Sequence, residues 1–145
     1  MSNRKLLKEA DPAAFETMLS FERYLGNSSL SKTDRELIKI RVSQINGCSY
    51  CLDKHIHEAL EAGEDPRRIY LLAVWKETSL FTREERAILA LTEEMTLIHE
   101  HGVSDAVYNN ALNLLGQKYL TEVMMAIIAM NAWNRVGITT GRQPE

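Results

Sequence analysis

The chain has 145 residues, of which 45% are hydrophobic and 26% are charged, and its formal net charge at pH 7 is −3. A chain of this length and composition can bury a sizeable hydrophobic core, so we expect a single globular domain over residues 1–145. Acidic and basic residues are interleaved without a basic stripe, which argues against a nucleic-acid partner.

No targeting or membrane-spanning signal is evident in the sequence. The opening stretch, MSNRKLLKEADP, lacks the apolar region and the small-residue cleavage site of a secretory signal. The longest largely apolar run, from Val123 to Ala132, is too short to cross a bilayer. We therefore expect a cytoplasmic protein without a membrane partner.

Start and stop signals divide the first half of the chain into three predicted helices. Aspartate followed by proline, and threonine three residues before glutamate, are typical of helix N-termini, whereas glycine is typical of the position just past a C-terminus. These signals predict helices at residues 12–24, 33–45 and 48–63. Thr33 and Glu36 fit the capping box of the second helix, and Gly47 separates it from the third.

The second half of the chain carries the same signals. They predict helices at residues 66–77, 83–101, 105–115 and 120–136. Asp65 and Ser104 are the expected caps of the first and third of these, and Thr82 with Glu85 fits a second capping box. Ile98 is expected to be the last member of a buried stripe in the helix that Thr82 opens.

No segment has the alternating period of an exposed strand, so the predicted fold class is all-α, a compact domain of about six to seven helices. The predicted helix at residues 120–136 is apolar nearly all round and should therefore be buried. It can lie at the centre of the monomer or at a subunit interface. We favour a homo-oligomer, because such a helix needs more cover than a small chain provides.

Both cysteines lie in one short stretch, ELIKIRVSQINGCSYCLDKH, which begins at Glu36 and ends at His55. At about 100° per residue, Cys51 lies about 60° and His55 about 20° from Cys48 around the helix. All three therefore share one face at the N-terminus of a predicted central helix. A helix N-terminus, a nearby histidine and a CxxC pair each favour the reactive thiolate. In a reducing compartment, such a pair is more often catalytic or metal-binding than structural.

The spacing suggests a role for each of these residues. His55 lies four residues after Cys51, where it can take the thiol proton. Cys48, one turn earlier, can attack an oxidised Cys51 and close a disulfide. Gly47 breaks the helical phase, so the position of Glu36 is open. If the two helices pack against each other across that glycine, Glu36 can return to the site as the carboxylate end of a proton relay.

Structural interpretations of the same residues remain open. The cysteines could be small core hydrophobes, and His55 could be an ordinary hydrogen-bonded helix residue. Glu36 is already explained by its capping box. Tyr50, between the cysteines, could control access or could belong to the core. Asp53, Lys54 and Glu58 are most simply a solvated helix face.

A zinc site is the main chemical rival. Cys48, Cys51, His55 and His57 resemble a Cys2His2 set, but His57 lies about 180° from Cys48 around the helix, so one helix cannot wrap all four around an ion. A site formed by the two cysteines, His55 and Glu36 stays possible but is less favoured. We predict neither a metal nor a cofactor.

The spacing of Glu36, Cys48, Cys51 and His55 resembles the signature of the alkylhydroperoxidase D family, in the carboxymuconolactone decarboxylase superfamily. The segments RVSQINGCSYCLDKHIHEALEAG, FTREERAILALTE and MNAWNRVGI are similar to the family core, so the resemblance covers about residues 30–138. Tyr50 departs from the best-known members, which have histidine there. The decarboxylase branch acts on a lactone without a CxxC, so the two cysteines argue against that activity.

The resemblance implies an all-helical fold that assembles into trimers or hexamers, and a thiol-dependent alkylhydroperoxidase activity. Cys51 would be the peroxidatic cysteine and Cys48 the resolving one, with His55 and Glu36 as the proton relay. The implied partners are a hydroperoxide substrate and a thiol or dithiol reductant. Two alternatives remain: a thiol–disulfide oxidoreductase with a protein partner, and a non-enzymatic small-ligand or sensor protein of the same fold.

Overall fold

The structure, a computed structural model, describes residues 3–144. Within this range the chain forms nine α-helices, one 3-10 helix and no β-strand, so the predicted all-α class is confirmed. The helices are α1 Leu7–Ala10, α2 Pro12–Gly26, α3 Lys32–Asn46, α4 Ser49–Glu61, α5 Pro66–Leu71, the 3-10 helix Leu72–Glu77, α6 Arg83–Thr96, α7 Ile98–His101, α8 Asp105–Leu115 and α9 Gln117–Thr140.

Four of the predicted helix starts are confirmed by their capping hydrogen bonds. In each, the side-chain oxygen of the residue before the helix accepts a hydrogen bond from a backbone N–H of the first turn, which otherwise has no partner within the helix. These residues are Asp11, Asp65, Thr82 and Ser104.

The predicted capping box of Thr33 and Glu36 is wrong. The helix begins one residue earlier, with Ser31 as its cap, and the Ser31 hydroxyl accepts a hydrogen bond from the Asp34 amide. Ser31 and Thr33 are both chemically able to cap, so the sequence alone did not decide between them. The Glu36 side chain therefore has no capping role at the start of this helix.

The helix count of six to seven is also wrong, because two predicted helices are each divided. The predicted helix at 66–77 changes to 3-10 geometry after Leu71, and Val74 leaves helical angles altogether (φ −119°, ψ 29°). The predicted helix at 83–101 breaks at Leu97, so Ile98 is 59% exposed instead of buried. The one-turn α1 was not predicted, because so short a segment has no periodicity to detect.

Helix α9 lies at the centre of the described structure and contacts α2, α3, α4, α6 and α8. Its inward residues Leu120, Val123, Ala126 and Ile127 are essentially inaccessible to solvent, as predicted for an apolar helix. It extends beyond the predicted 120–136 at both ends, and Ile128 is exposed. No helix in the described range is both long enough and apolar enough to span a membrane.

Candidate active site

The turn between α3 and α4 brings the predicted site residues together. Gly47 has a left-handed backbone (φ 71°), and the amides of Gly47 and Cys48 both donate to the Ser43 carbonyl. This conformation suits glycine, and it lets α3 end and α4 begin almost at once. Because α3 then packs against α4, Glu36 returns to the site and lies 3.1 Å from His55.

Both cysteines lie at the start of α4. Cys48 is the residue before the helix and forms a disulfide with Cys51, and both are buried. The first hydrogen bond within the helix runs from the Leu52 amide to the Cys48 carbonyl. The amides of residues 49–51 precede that bond, so both cysteines lie in the turn that carries the partial positive charge of the helix. This environment favours a thiolate when the disulfide is reduced.

His55 is held by two carboxylates. Its Nδ1 lies 3.1 Å from Glu36 Oε2 and 3.0 Å from Glu58 Oε2. Carboxylates are acceptors, so Nδ1 must carry the hydrogen, and Nε2 is then free to accept a proton. The ring is buried, which leaves it little freedom to rotate away from these partners.

Glu36 is a buried carboxylate compensated by two lysines. Burial alone would raise its pKa, but the hydrogen bond with His55, the charge of Lys39 and the hydrogen bond from Lys32 lower the pKa from 4.5 to about 2. The Lys32 Nζ lies 3.0 Å and the Lys39 Nζ 4.0 Å from Glu36 Oε1. Glu36 therefore remains ionised at neutral pH and fixes one side of His55.

Glu58 was interpreted from the sequence as part of a solvated face, and this interpretation is wrong. Its side chain is half-buried and contacts both His55 and Lys54. Burial tends to raise the pKa of Glu58, but the hydrogen bond from Lys54 together with the charges of His55 and Lys54 lowers the pKa overall. The position of Glu58, three residues after His55 on the same helix, was the sequence signal for this contact.

The structure does not bring the candidate metal ligands together as one set. Cys48 and Cys51 are joined to each other, and a disulfide sulfur is not the thiolate that zinc prefers. His57 is on the surface and pairs with Glu61. Within residues 3–144, Glu36, His55 and Glu58 form the one group of three or more such residues whose donor atoms all lie within 4.8 Å of one another. Lys32 and Lys39 already pair with the Glu36 carboxylate.

A cavity of about 520 Å³ lies beside Cys51 and His55. Its walls come from α1, α2, α4 and the C-terminal part of α9, with the Lys39 side chain reaching it from α3. Tyr50 lines the cavity and also packs against the main core, so both of its predicted roles have a structural basis. Among the residues that the structure describes, Cys48 is not part of the cavity wall. Of the two cysteines, Cys51 is therefore the one that borders the cavity.

Gly137 of α9 packs directly on the sulfur atoms. A Cβ atom added there would lie 3.2 Å from Cys48 Sγ and 3.5 Å from Cys51 Sγ. The first distance is shorter than ordinary van der Waals contact, and the buried disulfide has little room to move. Glycine at this position lets α9 approach the disulfide. The sequence held no signal for this contact, because Gly137 lies far along the chain from both cysteines.

We expect Gly137→Ala to be less stable than Gly26→Ala, measured against wild type. Alanine in a helix is favoured over glycine by about 1 kcal/mol. A Cβ atom at Gly26 would meet nothing within 4 Å, so this variant should keep much of the gain. In Gly137→Ala, crowding of the new Cβ atom against Cys48 should cancel this gain in stability. Urea unfolding of the oxidised proteins measures the difference, and equal gains at both positions would contradict the proposed close contact.

Comparisons with known proteins identify the family of the chain. Residues 12–94 match the model of the carboxymuconolactone decarboxylase family. The chain is 38% identical over 143 residues to YdfG, an uncharacterized protein of Bacillus subtilis, and the match covers 99% of this chain and 97% of that protein. It is also 38% identical over 69 residues to an alkyl hydroperoxide reductase AhpD of Streptomyces coelicolor, which is 46% of this chain and 39% of that protein.

Two solved structures share the fold. One is a protein of unknown function from Agrobacterium tumefaciens, to which the name antioxidant defence protein AhpD is provisionally attached; it has a TM-score of 0.95, 32% identity and 99% coverage of both chains. The other is an uncharacterized peroxidase-related protein from Silicibacter, with a TM-score of 0.78, 25% identity and coverage of 90% of this chain and 69% of that one. The chain therefore belongs to the carboxymuconolactone decarboxylase family and is one of its AhpD-like members.

Proposed function

We propose that this protein is a thiol-dependent hydroperoxide reductase that cycles between a Cys48–Cys51 dithiol and the corresponding disulfide. The observation that carries the proposal is the position of Cys51, which faces a cavity at a helix N-terminus, one turn before a histidine fixed by two carboxylates. This is the environment that a reactive cysteine requires. The AhpD names of several relatives support the same chemistry.

The first step oxidises Cys51. His55 takes the thiol proton, and the thiolate attacks the terminal oxygen of the hydroperoxide, breaking the O–O bond. The sulfur becomes a sulfenic acid, and the alkoxide that leaves takes the proton and departs as an alcohol. One equivalent of peroxide is thus reduced by two electrons from one sulfur atom.

The second step closes the disulfide. The Cys48 thiol attacks the sulfenic sulfur of Cys51, the S–S bond forms, and the hydroxyl leaves as water. An external thiol or dithiol must then return two electrons and two protons to regenerate both cysteines. The buried position of both sulfur atoms favours a small or extended reductant that can enter the cavity.

In this proposal Glu36 and Glu58 are positioning residues. Both accept from the Nδ1 side of His55, so Nε2 is left to exchange protons with Cys51 and with the leaving alkoxide. The low pKa of Glu36 means that its negative charge persists throughout the cycle and stabilises His55 whenever the ring is protonated. A homotrimer or a hexamer, cytoplasmic and free of metals, remains our expectation for the working assembly.

Titration of the fully reduced protein with a hydroperoxide tests the proposal. One equivalent should consume two thiols per chain and yield one equivalent of alcohol, measured by a thiol assay and by mass spectrometry of the Cys48–Cys51 peptide. Thiols that survive peroxide but exchange rapidly with a protein disulfide would indicate the thiol–disulfide oxidoreductase instead. Thiols that react with neither would favour a non-enzymatic ligand-binding protein.

A further inference from the structure

The cavity beside Cys51 is larger and more apolar than a small peroxide requires. Its volume of about 520 Å³ is in the range of pockets that hold organic molecules of drug size. One wall is formed by the apolar side chains Phe15, Leu19, Met130, Trp133 and Val136, from α2 and α9. Such a wall excludes water from a bound hydrocarbon chain, and the burial of that chain favours binding.

Four cations of the described chain also line this cavity, and two of them already have carboxylate partners. Lys39 lies 3.7 Å from Glu22 and 4.0 Å from Glu36, and Lys54 pairs with Glu58. These charges are balanced within the protein, so they contribute little net attraction for an anion.

The other two cations, Lys8 and Arg142, are different. Both are exposed on the wall of the same cavity, and within residues 3–144 neither has a carboxylate within ion-pair distance. The Arg142 guanidinium stacks on the Tyr50 ring, with its central carbon 3.8 Å from the ring centroid. Stacking holds the guanidinium plane in place and leaves its N–H donors free for another acceptor. The cavity therefore combines an apolar wall, a cysteine sulfur and two cations that have no anionic partner among the described residues.

We propose that the cavity selects amphipathic hydroperoxides that carry a carboxylate, such as the hydroperoxide of a long-chain fatty acid. The carboxylate binds Arg142 and Lys8, the hydrocarbon chain lies along the apolar wall, and the peroxide group meets Cys51. This inference rests on the proposed function. The reaction is the one already described: the peroxide is reduced to a hydroxy acid, and the electrons come from the two cysteines.

The test compares an unsaturated fatty acid hydroperoxide with its methyl ester, which has the same chain and peroxide but no charge. We expect wild type to have a lower KM for the acid. Arg142→Gln should raise that KM about tenfold, because a charge-assisted hydrogen bond is lost, while kcat and the KM for the ester change little. Lys8→Gln should act in the same direction, and the double variant should remove the preference.

Arg83→Gln is the matched control, because Arg83 is exposed in the first turn of α6, does not line the cavity and loses the same charge. Its kinetics should equal those of wild type. Thermal unfolding checks that each variant folds. Equal KM values for the acid and the ester in wild type, or an equal effect of Arg142→Gln on both, would overturn the inference while leaving the reductase intact.

A second measurement separates this inference from the proposed function. Calorimetric titration of the oxidised protein with the hydroxy acid and with its methyl ester reports binding without any chemistry. Tighter binding of the acid, lost in Arg142→Gln, supports charge selection even if no peroxide is consumed, in which case only the reductase proposal fails. Absence of binding by either molecule would overturn the cavity assignment itself.

Discussion

Replacing Cys51 with serine is expected to lower the rate of hydroperoxide consumption by more than about a thousandfold, because a serine hydroxyl is not ionised at neutral pH and cannot be oxidised in its place. Cys51 lines the cavity, and His55 follows it by one helical turn. The remaining thiol of Cys48 lies outside the cavity wall of the described structure, so it should not substitute. Peroxide loss in a steady-state assay with an excess of dithiol measures the effect.

Cys48→Ser is the matched control for this variant, because it also replaces a sulfur atom with oxygen in the CxxC motif. Without added thiol it should consume one equivalent of peroxide and then stop, because the sulfenic acid on Cys51 has no neighbouring thiol to resolve it. A carbon nucleophile that traps sulfenic acids should label Cys51 in this variant and nothing in Cys51→Ser. Trapping at Cys48 in Cys51→Ser, with one equivalent of peroxide consumed by that variant and none by Cys48→Ser, would show that the order of attack is reversed.

Replacing Glu36 with glutamine is expected to destabilise the protein by about 3 kcal/mol at neutral pH. The Glu36 carboxylate is buried and has a folded-state pKa of about 2, against an ordinary value of 4.5. Glutamine cannot carry the charge that balances Lys39, whose own side chain is buried. A charge left inside without its partner accounts for a loss of this size.

The loss should depend on pH in a defined direction. Because the folded state lowers the pKa of Glu36, the unfolded chain takes up the proton first as the pH falls. The stabilisation by Glu36 is complete above the ordinary pKa of 4.5 and disappears as the pH approaches 2. The stability gap between wild type and Glu36→Gln should therefore be largest at neutral pH and should narrow between these two values.

Urea unfolding at neutral pH and at about pH 3 measures this gap, since stability follows the difference in bound protons between the two states. Glu77→Gln is a suitable control, because Glu77 is exposed at the end of the 3-10 helix and lies outside the cavity wall. The free energy of unfolding of Glu77→Gln should differ little from that of wild type, and by nearly the same amount at both pH values. A gap for Glu36→Gln that stays the same at both pH values would contradict the buried, ionised carboxylate.

Local signals in the sequence were sufficient for the fold class and for most helix starts. Asp11, Asp65, Thr82 and Ser104 each cap a helix with their own side chain, so the information lies within a few residues. The α3 start was misassigned because two hydroxyl residues compete within one turn, and the difference between them depends on contacts elsewhere.

The candidate site was predictable to the extent that it is local. Cys48, Cys51 and His55 lie on one helix, and their common face follows from its period. Glu36 could be placed only conditionally, because the left-handed Gly47 decides how α3 meets α4. Gly137, Lys8 and Arg142 come from the two ends of the chain, and only tertiary packing brings them to the sulfur atoms and their cavity.

The two ends of the described chain meet beside the cavity. Arg4 donates to the carbonyl of Thr139, and Lys8 and Arg142 both line the cavity wall. A purification tag or a fusion partner attached at either end would therefore sit close to the route by which a molecule reaches Cys51. A polyhistidine or acidic tag would change the local charge there. Kinetic work should use protein from which the tag has been cleaved, and surface immobilisation should use a lysine far from both ends, such as Lys118, which is exposed near the start of α9.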